Sequence, residues 1–346
     1  MRYNATIHEN QNFMHHNSPS HKAKSILSKI YFHAPCFDGL ISAVIAREYL
    51  TKTQNWVEPE MLPVTYHRDD WWLRQNLQGY SAVLDFMYHP DARFWVDHHG
   101  STFKQTEDLN EMRRHYENSR TDTSRTLVYD PTYPAGAKLL WDFIKGDVND
   151  HERFAEMVRW ATITDSATYE TAQQAVFGEE PALRIASSLG TSIDDGRILD
   201  ILKLLRTHTL DEAANEPIIA KRFAANRPRV EHGIEALRKT MRIDGTIGSA
   251  EMTIDDTLRP SVFAGFLLAP EIKYMLTLTH GPKGHKVYAS RNPWNGATKV
   301  HLGDLFETYG GGGHFGVGSY LYEPEATSAA TKMYREITER IATDDP

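Results

Sequence analysis

Asp97, His98 and His99 follow directly on a short apolar run, Phe94-Trp95-Val96. A carboxylate and two imidazoles at the end of a buried strand are hard-to-borderline ligands, better suited to manganese, iron, cobalt or zinc than to calcium. Similar residues close other apolar runs. His33 ends "SKIYFH", Asp38 comes shortly after it, Asp85 ends "SAVLD", and Asp165 stands in "TITDSAT". Taken singly, each aspartate reads as a cap, a turn residue or a satisfied polar group. Together they read differently, because carboxylates gathered at the strand ends of one sheet repel one another unless cations lie between them.

Such residues need a scaffold. The run from Ser28 to His33 reads as a strand, followed by a turn at Asp38-Gly39 and by "LISAVIAREYL", apolar on one helical face. "SAVLDF" and "RFWV" read as two more strands, and "AGAKLLWDFIK" and "ERFAEMVRWATITDS" have a helical period. Strands alternating with helices predict an α/β fold, a mainly parallel sheet flanked by helices with the ligand crevice at the carboxyl ends of the strands. Residues 206–243 are charged and helical, with Pro217 and Pro228 as breaks, and read as a linker. Beyond them "IDGTIG" reads as a hairpin turn, and "YMLTLT" and "KVYASR" flank "HGPKGH" as a second hairpin. The predicted organisation is a flexible tail (1–25), a metal-binding domain (26–205), the linker, and a smaller α/β domain (244–346).

The chain has 346 residues, 40% of them hydrophobic and 11% aromatic, which is ordinary for a globular protein with more than one core. A formal charge of −8 argues against a stable complex with long nucleic acid, whose binding rests on excess cationic charge. Any phosphates bound are therefore expected on a small ligand. One cysteine, Cys36, leaves no internal disulfide and fits a reducing cytoplasm. The polar first 25 residues carry histidines but no signal-peptide core, and no apolar run approaches the ~20 residues of a spanning helix. The expectation is a cytoplasmic protein without a membrane partner, for which a homodimer is compatible.

"HAPCFDG", "LDF", "VDHHG" and "TD", in that order, resemble the four motifs of the DHH phosphoesterases. "YGGGGHFGVG", from Tyr309, resembles the glycine-rich motif of their DHH-associated C-terminal domain. The resemblance implies a hydrolase with two divalent cations, manganese first, with cobalt, iron(II), zinc and magnesium as alternatives. By position, His33 and Asp97 would hold the first cation, and Asp38, His98 and Asp165 the second. Asp85 would bridge them and His99 would touch the scissile phosphate, so that Asp38, Asp97 and His99 carry the chemistry. Paired cations lower the pKa of a water and clamp phosphate oxygens during in-line attack.

One residue departs from the family pattern. Cys36 stands where the first of two aspartates is usual. Its thiolate could be a ligand, softening the first site towards zinc or iron. Alternatively it is a small apolar residue beside a site one ligand short.

The glycines Gly310, Gly311, Gly312 and Gly313, followed by His314, have no Cβ atoms to block close approach, so their N–H groups could cradle an anion. Arg291, on the neighbouring hairpin, could grip the same phosphate. The resemblance agrees, using these residues to hold a nucleotide end away from the cations, which would make the enzyme a ruler for short substrates. Trp294 offers a surface for base stacking or for loop packing. Hydrolysis of short oligonucleotides or dinucleotides, as by a nanoRNase, is the leading expectation. An adenosine 3′,5′-bisphosphate phosphatase and a cyclic or linear dinucleotide phosphodiesterase are the alternatives within the same chemistry. A degenerate module that binds nucleotides without turnover is the alternative of another class.

Overall fold

Alternate residues along the first strands face two different cores. The computed structural model describes residues 27–345 apart from 67–70, 73, 78, 101, 104–106, 191–195 and 297. The tail expected over 1–25, with its histidines, lies outside the described residues. Strands β1 (Ser28–His33), β2 (Glu60–Val64), β3 (Tyr80–Leu84), β4 (Phe94–Asp97) and β5 (Thr126–Tyr129) form one sheet in the order β2-β1-β3-β4-β5. Every pair in it is parallel. Ile30, Phe32, Ala82, Leu84, Phe94 and Val96 join one apolar cluster, while Tyr31, Val83 and Trp95 join another. With period two and both faces apolar, the sheet must be covered on both sides.

Helix α1 (Phe37–Lys52) lies on the first face. The second face is closed by Trp72, Phe86, Phe103 and, from α2 (Glu107–Ser119), Tyr116. Helices α3 (Gly136–Ile144) and α4 (His151–Asp165) join α1 over the first core, contributing Leu140, Phe154 and Met157. Of the five strands, the sequence pattern identified three. The two missed, β2 and β5, are the short edges, and Pro63 in β2 is tolerated because an edge strand needs fewer ladder bonds.

Asp38 and Gly39 were expected in a turn and are instead in the first turn of α1. A Cβ on Gly39 would lie 2.2 Å from the His33 carbonyl oxygen, so the missing side chain lets the helix start pressed against the strand end.

Helices α5 (Ala172–Phe177), α6 (Pro181–Ser188), α7 (Arg197–Leu205) and α8 (Leu210–Asn215) lead to α9 (Pro217–Thr240). Pro217 starts that helix as expected of a proline, but Pro228 does not break it. Buried Ile219 and Asn226 on one side of the proline and Ile234 and Leu237 on the other hold the two halves in place, outweighing the lost bond.

The second sheet contains β6 (Arg242–Asp244), β7 (Ile247–Thr253), β8 (Tyr274–Gly281), β9 (Gly284–Arg291), β10 (Gly312–His314) and β11 (Val317–Tyr322). Its order is β10-β11-β9-β8-β7-β6, parallel only between β7 and β8. Both expected hairpins are present, β6 with β7 and β8 with β9. Helices α10 (Ala264–Leu268), α11 (Leu302–Glu307) and α12 (Thr327–Asp344) complete this part. The architecture is α/β, a parallel sheet between helical layers joined to a smaller unit on a mixed sheet. Among the described residues, no helix is long and apolar enough to cross a membrane.

Asp345, just past α12, fastens that helix to the sheet. Its buried carboxylate accepts from the Tyr274 hydroxyl at 2.8 Å, the Lys273 ammonium at 3.0 Å and the Lys299 amide at 2.9 Å. Burial alone would push its pKa up, but these donors hold it at about 2. A carboxyl lowered on folding stabilises the protein above its unfolded pKa and loses that effect as the pH falls towards the folded one. Asp345→Asn should therefore cost about 2–3 kcal/mol at neutral pH. Urea unfolding should show the difference from wild type roughly halved by about pH 3, between the two pKa values.

Candidate metal centre

His33, Asp85 and Asp97 stand at one level on three neighbouring strands. Phe32 is paired with Leu84 and Leu84 with Val96, so the next residue of each chain segment is one of the three. Strand spacing of ~4.8 Å sets them side by side at the carboxyl edge. Asp85 takes φ 54°, a left-handed conformation that aspartate tolerates better than most residues. Asp38 comes in from the start of α1, Asp165 from the last residue of α4, and His98 and His99 follow β4.

The side chains converge. Asp85 Oδ2 is 3.4 Å from His33 Nδ1, and Asp85 Oδ1 is 3.4 Å from His98 Nε2. His98 Nε2 also lies 3.3 Å from Asp165 and 3.8 Å from Asp38. The other nitrogen of His98, Nδ1, donates to the Tyr133 carbonyl at 3.0 Å, which fixes the ring so that Nε2 faces the carboxylates. Asp38 is held by the start of α3, accepting from the Gly136 and Ala137 amides at 2.7 and 2.9 Å.

Asp97 is engaged differently from the rest. The resemblance puts it on a cation, yet its Oδ1 accepts from the His98 amide at 2.9 Å, the His99 amide at 3.3 Å and His99 Nδ1 at 2.7 Å. Its Oδ2 accepts from the Thr102 hydroxyl. Asp97 therefore organises its own loop and orients His99.

Burial and the nearby Asp85 and Asp165 carboxylates push Asp38 well up, and burial with Asp85 raises Asp165 against the opposing His98. Burial would lower His98, but Asp85, Asp165 and Asp38 hold it up at about 11. In the metal-free protein, the His98 proton offsets the clustered negative charge. His33 Nδ1, both Asp85 oxygens and His98 Nε2 are buried without a hydrogen-bond partner. Buried polar atoms left so are costly unless something fills the space between them. Oxygen and imidazole donors separated by a gap of this kind fit divalent cations.

The second sheet reaches the same place. The His314 ring lies 5.4 Å from that of His98 and 4.8 Å from that of His99. Burial, then the adjacent His99 and His98, push its pKa down to about 3, so it stays neutral. His314 was expected to act away from the cations; the close packing of β10 over the β4 loop instead sets it against their ligands. The preceding glycines also differ from expectation. A Cβ at Gly311 would lie 2.6 Å from the Ser319 carbonyl, and one at Gly313 would lie 2.1 Å from that of Val317. These two glycines let the chain approach β11, and Gly312 and Gly313 lie within strand β10 rather than in an open nest.

A cavity of about 580 Å³ opens beside the cluster, with Tyr133 and Asp165 on one side and Phe263, Arg291, His314 and Phe315 on the other. Gly313 lines it, whereas Gly311 and Gly312 do not. The Arg291 guanidinium stacks on Phe315 at 4.5 Å. Trp294 packs against Phe263 and Phe266 and donates to the Tyr169 carbonyl at 2.8 Å, so it serves loop packing rather than stacking on a base.

No family model and no curated protein matches the sequence. Solved structures do resemble it. The pGpG-specific phosphodiesterase PggH from Vibrio cholerae superposes with a TM-score of 0.63 at 15% identity, covering 92% of this chain and 99% of that one. The DHH domain of a protein described as belonging to a family of ribosomal proteins gives 0.58 at 13% identity, over 91% and 87% of the two chains. The fold is the DHH fold. RecJ from Thermus thermophilus in complex with Mg2+ shares it at a TM-score of 0.50 and 11% identity, covering 91% of this chain and 50% of that one.

Within this DHH fold, several supporting residues escaped the sequence reading. Tyr133 acts through a backbone carbonyl, which no residue type signals. Thr102 holds Asp97, and the Tyr129 hydroxyl donates to the His99 carbonyl at 3.1 Å. Tyr66 sets its ring 4.8 Å from His33 and 5.4 Å from His99. Their only signal was closeness to a strand end.

Proposed function

We propose that this protein is a metal-dependent phosphoesterase that hydrolyses short oligonucleotides or dinucleotides in the cleft between its two sheets. The observation that carries this reading is the pair of unpartnered Asp85 oxygens, one facing His33 and the other His98. One cation would be held by His33 and Asp85, and the other by Asp38, His98 and Asp165, with Asp85 available to both. When bound, the cations supply Lewis acidity that makes a water deprotonable near neutral pH and offsets phosphate charge. Asp38, anchored by two amides, and Asp85, fixed by its strand end, hold the two sets of donors at a constant separation.

His99, with Nδ1 committed to Asp97, has its other ring nitrogen left for a phosphate oxygen. Neutral His314 can contact the same phosphate without adding charge repulsion to its imidazole neighbours. Arg291 binds a second phosphate or the nucleotide terminus, and the apolar faces of Tyr133, Phe263 and Phe315 accommodate bases. A dinucleotide is favoured because loops at the edge of the first sheet and residues of the second line the cavity together, and because a pGpG-specific phosphodiesterase shares the fold along nearly its whole length. Manganese suits the oxygen-rich donor set, and the acidic chain suits a small substrate in the cytoplasm.

Turnover by metal-stripped protein resupplied with manganese, cobalt, magnesium or zinc, across a panel from bisphosphate through dinucleotide to a longer oligomer, tests this reading. A maximum at the dinucleotide is expected, and no turnover of any member would refute it. Arg291→Ala should lower kcat/KM for the dinucleotide by about ten- to a hundredfold, the worth of a charge-assisted contact. A generic aryl phosphodiester, which does not extend to Arg291, should be hydrolysed almost as before. Equal losses on the two substrates would rule out a role for Arg291 in holding the distal end.

A further inference from the structure

We propose that Cys36 is a cation ligand, so that the first site is a mixed nitrogen, sulfur and oxygen site built from His33, Cys36 and Asp85. This rests on the two-cation reading above and adds to it a soft donor that makes the two sites chemically unequal.

The geometry supplies the argument. Ligand atoms of His33, Cys36 and Asp85 all lie within 4.8 Å of one another, as do those of Asp38, His98 and Asp165. Two donors of the first trio are already unsatisfied: His33 Nδ1 and Asp85 Oδ2 are buried and without a hydrogen-bond partner, and Asp85 is only 1% exposed. Cys36 has no strong competing task. It occupies the N-cap position of α1 in an extended conformation, where its sulfur faces the Gly39 amide and makes no capping bond of normal geometry. Serine, threonine, aspartate or asparagine would serve that position better. Asp97 groups with Asp85 and His99 rather than with His33, and its oxygens already accept from two amides, an imidazole and a hydroxyl. Without Cys36 the first site has two protein donors, His33 and the shared Asp85, against four for the second, counting Asp85 in both.

Coordination to a cation removes the proton of a thiol ligand. The donor set selects by softness. Zinc, cobalt and iron(II) gain from sulfur, whereas manganese and magnesium prefer oxygen. The first site should therefore favour the softer ions and the second remain open to manganese.

Cobalt(II) titrated into metal-stripped full-length protein tests this without recourse to activity. The wild type should develop a sulfur-to-cobalt charge-transfer band in the near ultraviolet, which must come from Cys36 because the chain has no other cysteine. Cys36→Ser should lose the band. Cys36→Asp should also lose it while still binding two ions, with the zinc-over-manganese preference falling by about tenfold or more, the scale on which even outer-shell partners act. Two cobalt ions bound to the wild type without that band would overturn the assignment of Cys36 and leave the two-cation reading standing. Failure of the wild type to bind cobalt at all, by equilibrium dialysis, would overturn both.

Discussion

Asp165→Asn should abolish hydrolysis and yet raise the melting temperature of the metal-free protein. Loss of a donor at the second cation set should lower kcat/KM by about a thousandfold or more. The stability change runs the other way, because Asp165 is a carboxyl whose pKa is raised on folding by burial and by the Asp85 carboxylate, against the opposing His98. Such a group costs stability once the pH exceeds its unfolded value near ~4. Asparagine removes the charge and keeps the shape, so the gain, a few degrees, should be present at neutral pH and vanish in acid. Steady-state kinetics checks the first half, and calorimetry with and without manganese the second. Added cation should stabilise the wild type, as any ligand of the native state does, and stabilise the variant much less. A variant of wild-type activity, or one destabilised at neutral pH in the absence of metal, would remove Asp165 from the centre.

Asp97→Asn should lower kcat by about a thousandfold while leaving two cations bound. The substitution keeps an acceptor oxygen for the His98 and His99 amides and for His99 Nδ1, so the loop is retained. What disappears is the negative charge that orients His99 and stabilises its protonated form. If Asp97 acts only through His99, His99→Asn in the Asp97→Asn background should add little, because residues that work as a unit are not additive. Metal analysis of the purified variant separates this from a ligand role. One cation lost together with activity would return Asp97 to the metal, as the family pattern places it.

Much of the centre was legible in local sequence. His33, Asp85 and Asp97 could be placed at strand ends because the apolar runs before them are short and bounded, and a period of two is a local signal. The two hairpins of the second sheet were legible for the same reason. Strands β2 and β5 were not, since half-exposed edge strands carry weak patterns and one contains Pro63. Pro228 read as a break because local propensity disfavours it inside a helix; the buried residues on either side of it in α9 decided otherwise.

By itself, the sequence determined the kinds of donor available, their order along the chain and the edge of the sheet on which they lie. Tertiary structure decided which donors share a space. That Asp85 lies between His33 and His98 depends on strand order β1-β3-β4, which comes from the packing of the whole sheet. The turn of Asp97 towards His99 depends on Thr102 and on two amides, and the aim of His98 on the Tyr133 carbonyl, a backbone atom that every residue possesses. His314 enters from β10 in the second sheet, and only the packing of the two sheets makes it a neighbour of His99. Periodicity reports on a residue's own strand or helix, whereas coordination geometry is set by which strands, helices and carbonyls become adjacent when distant segments bury their apolar faces together.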